Sequence, residues 1–117
     1  MLKKFFLSAS LFFTGLFILA DLNGRWQGTV KTSNGNEIEI TYDLKVEGEK
    51  LSGTVITQWG ENPIVDGKVT GDQFSFTQSF NEMQINHSGK LSGDSLMVKI
   101  QRGDNPAMES VFKRVAK

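Results

Sequence analysis

From Glu37 to Val46 the chain alternates strictly, with Ile38, Ile40, Tyr42, Leu44 and Val46 on one face and Glu37, Glu39, Thr41, Asp43 and Lys45 on the other. A period of two held over that length is a strand with one dry face and one wet face. The same parity predicts seven further strands, at 25–32, 51–59, 63–69, 73–80, 83–91, 95–102 and 109–115. Their dry faces would carry Trp26, Gly28 and Val30, then Leu51, Val55, Thr57 and Trp59, then Val65 and Val69. The later strands would contribute Phe74, Phe76, Gln78 and Phe80, then Met83, Ile85, His87 and Leu91, then Leu96, Val98, Ile100 and Arg102, and finally Phe112 and Arg114.

Between the runs lie short segments rich in Gly, Asn, Asp and Ser, residues that suit tight turns. One turn pattern recurs: Lys50-Leu51-Ser52-Gly53, Lys68-Val69-Thr70-Gly71 and Lys90-Leu91-Ser92-Gly93 each mark a strand boundary. No helical period is present after Asp21. Left as an open sheet, eight such strands would expose two long edges, whereas closing the sheet removes both. The expected fold is therefore all-β, a single eight-stranded antiparallel up-and-down barrel in meander order. Meander order also sorts the ends: Trp26, Leu51, Phe74, Leu91, Leu96 and Arg114 fall at one, the lower, and Trp59, Phe80, Met83 and Arg102 ring the other.

The first twenty residues follow a different rule. Lys3 and Lys4 precede an apolar run from Phe5 to Leu19, and Ala20 stands before the polar Asp21-Leu22-Asn23-Gly24, the layout of a secretory signal. Ser8, Ser10, Thr14 and Gly15 interrupt the run, which falls short of the ~20 apolar residues that span a bilayer. The expectation is a signal peptide at 1–20, cleaved after Ala20, and a barrel domain at 21–117, exported to the periplasm or beyond the cell. Loss of Lys3 and Lys4 leaves 11 of the 13 basic residues against 13 acidic ones, a formal charge of −2. Nucleic acid is an unsuitable partner for such a surface, which has no basic run. The chain has no cysteine, so its stability must come from its core and its hydrogen bonds.

Asn23-Gly24-Arg25-Trp26 resembles the Gly-x-Trp that opens the first strand of lipocalins, and Arg114 resembles their closing Arg. Avidins also begin on a Gly-x-Trp strand and use Leu-x-Gly-Thr hairpins similar to Leu51-Ser52-Gly53-Thr54. The whole mature chain looks like small exported bacterial β-barrel proteins of calycin type. The resemblance implies a lipocalin-like barrel whose closed end is built by Trp26 and Arg114; biotin contacts are not carried over.

The chemistry inventory is short. The dry faces bear no Asp or Glu, which excludes a paired-carboxylate acid/base site inside the barrel. His87 is the chain's one histidine, too few for a protein-built zinc site in the absence of cysteine. Neither a Gly-x-Ser-x-Gly elbow nor a phosphate loop occurs. No catalysis, metal or cofactor is expected. Two function classes remain. The first is a binding barrel that takes a small apolar or amphipathic ligand at the upper mouth, on Trp59, Phe80, Met83 and Arg102, with Tyr42, Gln78 and His87 as the floor. The second is a filled barrel that binds another protein through its loops or outer face, for example as an inhibitor of an extracellular enzyme. Seven inward aromatics (Trp26, Tyr42, Trp59, Phe74, Phe76, Phe80 and Phe112) favour filling, since an eight-stranded interior is just wide enough to be packed or to hold one small ligand.

Overall fold

The computed structural model describes residues 21–32 and 34–115, so the expected leader lies outside the described residues. Within them run nine strands: β1 Gly24–Lys31, β2 Glu37–Glu47, β3 Lys50–Thr57, β4 Gly60–Pro63, β5 Val65–Thr70, β6 Gln73–Phe80, β7 Met83–Ser92, β8 Ser95–Arg102 and β9 Met108–Arg114. β4 and β5 are two halves of one stave, because both pair with β3, the first along Thr54–Thr57 and the second at Lys50 and Leu51. The sheet is a closed eight-stranded antiparallel barrel in meander order, with β9 returning to β1. Its described residues contain no helix long and apolar enough to cross a membrane.

Turn chemistry sets the register. At the lower end the pairs Glu47–Lys50, Thr70–Gln73 and Ser92–Ser95 each close a two-residue loop that begins with Gly48, Gly71 or Gly93 at φ 66°, 63° and 62°. Glycine at positive φ in the first central position is the type II′ pattern, whose twist matches that of the strands it joins. At the upper end Asn81 and Glu82 both adopt positive φ, 52° and 64°, between the paired Phe80 and Met83. That is a type I′ hairpin made without glycine.

The fourth stave departs from simple alternation. Register slips between Val65 and Lys68, and Asp66 takes φ 55°, so two consecutive residues face outward. A bulge of this kind inserts one residue and turns the following side chains over. Val65, expected inside, is therefore 48% exposed, and Ile64 packs against the core in its place. Pro63 makes this tolerable, since proline suits a strand end that does not need its N–H. The hairpin before it is also tighter than the alternation implies: β3 ends at Thr57, Gln58 and Trp59 form the turn, and residues 60–63 are strand rather than loop.

The core fills from one side of every strand. Trp26, Tyr42, Phe76 and Phe112 are the largest fully buried side chains. Gly28 is a packing residue, for a Cβ there would lie inside the Phe112 ring. Phe112 thereby reaches across the β9–β1 seam, where the strand pairing is recorded only at Lys113–Gln27 and Arg114–Trp26. Gly28→Ala should lower stability by about 1–3 kcal/mol through overpacking, measured by urea unfolding. The loss should shrink when Phe112→Leu is added, and strict additivity of the two losses would show that the ring does not occupy the glycine gap.

Candidate functional site

The interior is divided into a packed lower half and a partly open upper half. Below, the Arg114 guanidinium carbon lies 4.2 Å from the centroid of the Trp26 ring, and its Nη1 and Nη2 donate to Asn23 O and Asp21 O, both at 2.9 Å. Trp26 Nε1 donates to Leu22 O at 3.0 Å, and Leu22 is itself fully buried as the plug of that end. A cation over an indole face contributes about 0.5–2 kcal/mol according to its desolvation. Above the plug sits an aromatic layer: Tyr42 stacks on Phe112 at 4.5 Å, meets Phe76 edge-on at 5.3 Å, and Phe76 in turn stacks on the His87 ring at 4.5 Å.

Over this layer the barrel holds a cavity of about 170 Å³, walled by aliphatic side chains that include Val30, Ile40, Val55 and Ile100. Gln78 and His87 form the polar part of its floor, and Phe80, Trp59, Met108 and Arg102 stand around it. A volume of this order matches an engineered cavity of about 150 Å³ that takes up benzene. Its polar lining contains no carboxylate, and among the described residues Arg102 makes no ion pair.

Three buried polar groups are linked in a row at the floor. Tyr42 Oη and His87 Nδ1 are 2.7 Å apart, and His87 Nε2 and Gln78 Oε1 are also 2.7 Å apart. Burial pushes the His87 imidazole down from 6.5 to about 3 and raises the Tyr42 phenol well above 10, so both stay neutral through the physiological range. A buried histidine satisfied at both nitrogens and stacked on an aromatic ring is held in one position.

The sequence-predicted residues fall into three groups. Gln78, Phe80, His87 and Arg102 line the cavity. Tyr42 lies beneath it, fully buried, and touches the floor only through His87. Trp59 lines the rim but comes from the β3–β4 turn and is 57% exposed, so it is not the inward strand residue that parity implied. Met83 does not line the cavity: it is 37% exposed beside the Asn81-Glu82 turn, because the hairpin carries the end of β7 past the mouth. The alternation did not single out Leu22, Asn62 or Met108. Leu22 precedes the first strand, Asn62 follows the unexpected hairpin, and Met108 begins β9 one residue before the predicted start. A larger depression of about 660 Å³ lies on the outer wall around Lys68, Lys90, Lys99, Met97 and Val111, open to solvent and away from the linked polar groups.

No family model matches the chain, and no curated protein does. Several solved structures share its shape, two of them as follows. A de novo designed fluorescence-activating β-barrel superposes with a TM-score of 0.57 at 16% identity, over 80% of this chain and 94% of that one. The fluorescent protein UnaG, as a point mutant, superposes with a TM-score of 0.52 at 11% identity, over 82% of this chain and 97% of that one. At such low identity the likeness is one of fold.

His87 provides a direct check on the floor. Its folded pKa is depressed, so it contributes stability that is complete above about 6.5 and is lost as pH falls toward about 3. As the chain's single histidine, it should give one imidazole Cε1–H resonance that does not titrate between about pH 7 and pH 4.5 in the folded protein. Urea unfolding should show stability declining already between about pH 6.5 and 5, above the ordinary carboxylate range, and His87→Phe should abolish that part of the decline. A resonance titrating near pH 6.5 would mean that the ring is hydrated.

Proposed function

We propose that the chain is a binding protein that takes one small, apolar or amphipathic ligand through the upper mouth of the barrel, and that it performs no catalysis. The observation that carries this reading is the unequal filling of the interior. Its lower half is closed by a plug and an aromatic layer, while the upper half keeps a cavity of about 170 Å³ with apolar walls and a few convergent polar groups. Pockets of that character are the usual ligand sites of β-barrels, at their mouths. That one barrel of this shape is described as fluorescence-activating and another as a fluorescent protein agrees with the reading.

The size of the cavity restricts the guest to a single ring or a short branched chain, well below drug-sized ligands, whose pockets run to about 300–1,000 Å³. A protein partner is the second reading. It draws support from the exposed Met97 and Val111 beside Lys68, Lys90, Lys99 and Glu109 on the outer wall, a mixed apolar and charged surface.

The test is to fill the cavity. Val30→Phe places a larger side chain on its wall and should abolish uptake of single-ring probes, followed by amide chemical shifts, while changing thermal stability little. Unchanged uptake would move the site elsewhere, and absence of uptake by the wild-type protein would leave the outer wall as the better candidate. The proposed setting is outside the cytoplasm, after removal of residues 1–20, on the strength of the charged start, the apolar run and Ala20. Intact-mass measurement on protein from the periplasm or medium should give a chain beginning at Asp21, and full-length protein confined to the cytoplasm would refute export.

A further inference from the structure

The linked groups at the cavity floor have a direction, and it is set from the closed end. Tyr42 is fully buried, and its hydroxyl has one hydrogen-bond partner among the described residues, His87 Nδ1. Were Nδ1 to carry the imidazole proton, it would donate to the phenol oxygen and leave the phenol O–H with no acceptor. An orphaned buried donor costs about 1–3 kcal/mol. The lower-energy arrangement has Tyr42 donating to Nδ1, which places the proton of the neutral ring on Nε2. Nε2 then donates to Gln78 Oε1, 2.7 Å away, and the Gln78 amide nitrogen is turned from the ring.

Gln78 lines the cavity. Its Nε2 makes no hydrogen bond among the described residues, yet no fully buried side-chain nitrogen or oxygen among them lacks a partner. The amide hydrogens therefore reach the open space of the cavity. Gln78 pairs with Ile85, and Ile85 with Arg102, so the guanidinium, a second group that can only donate, stands on the same wall two strands away.

We propose, resting on the reading of the cavity as a ligand site, that it selects guests bearing a hydrogen-bond acceptor, a carbonyl or carboxylate oxygen seated on Gln78 Nε2, with the apolar body against the aliphatic wall. Donor-headed guests and all-carbon guests of the same shape are disfavoured. The buried phenol acts at a distance: it touches no guest, but its O–H decides which end of the Gln78 amide the guest meets. Tyr42 is in this sense a positioning residue.

The experiment compares four single-ring probes by chemical-shift titration: acetophenone and benzoate, which accept, against ethylbenzene and aniline. Acetophenone and benzoate should bind at least tenfold more tightly than the other two, and Gln78→Leu should remove that margin while ethylbenzene affinity holds or improves. Tyr42→Phe frees the amide to turn over, so the preference for acetophenone over aniline should fall severalfold although the cavity wall is intact. Long-range ¹⁵N correlation on the wild-type protein should show the Nε2–H tautomer of His87, a readout independent of any variant's folding. An Nδ1–H tautomer, or equal affinity for acetophenone and ethylbenzene, overturns the proposal and leaves the ligand site standing. Failure of all four probes to bind removes the ligand site itself.

Discussion

The barrel depends on how the last strand closes on the first. The β9–β1 pairing is recorded at two residue pairs, whereas β1–β2 and β6–β7 each run through eight. Side chains and one further backbone hydrogen bond supply what the short ladder does not. Arg114 spans the seam, its guanidinium over Trp26 and its two terminal nitrogens on the carbonyls of Asn23 and Asp21. Val115 N donates to Arg25 O at 2.9 Å, and Ser110 Oγ to Thr29 O at 2.6 Å farther up. Phe112 crosses the same seam into the gap left by Gly28. The salt bridge from Arg114 to Asp94, 4.0 Å long and exposed on the aspartate side, adds little. Closure is thus a matter of one arginine's geometry and one glycine's missing side chain more than of charge. Its consequence reaches the site, because Phe112 supports Tyr42, and Tyr42 supports His87.

A barrel of eight strands has room for one filled layer or one small guest at each level, and this one does both at different heights. Below the middle the rings of Tyr42, Phe112, Phe76 and His87 stack into one packed layer, and above it branched chains such as Val30, Ile40, Val55 and Ile100 line a wall without filling the space between them. The boundary between the two is polar. Burying a phenol, an imidazole and an amide would cost several kcal/mol if each were alone. In series they satisfy one another, except at the end that faces the cavity.

Most of the architecture was legible in the alternation, since a period of two is set by the pleat and survives any tertiary context. Where it misled, a local insertion was responsible. The bulge after Ile64 reversed the parity of Val65, and the turn at Gln58 and Trp59 came two residues early, which moved Trp59 from wall to rim. The hairpin at Asn81 and Glu82 carried Met83 past the mouth in the same way. Leu22 was invisible for another reason: a single apolar residue ahead of a strand has no period, and only the contact with Trp26 reveals its role. For the site, the sequence could place Gln78 and His87 on dry faces but not join them, because pairing across β6 and β7 depends on register, which the turn fixes.

What the sequence could not express at all is the direction of the polar row. Tyr, His and Gln can each donate or accept, so the three names alone permit either orientation. The choice is made by burial at the far end, where the phenol is closed off from bulk solvent and has one hydrogen-bond partner among the described residues. A residue two hydrogen bonds removed from Gln78 therefore fixes the polarity of the surface a guest would meet, and it does so without a charge. Arg102 could be replaced at the rim by another donor with modest effect on that polarity. Tyr42 could not, because a buried group with a single partner is the one member of the row that has no alternative arrangement.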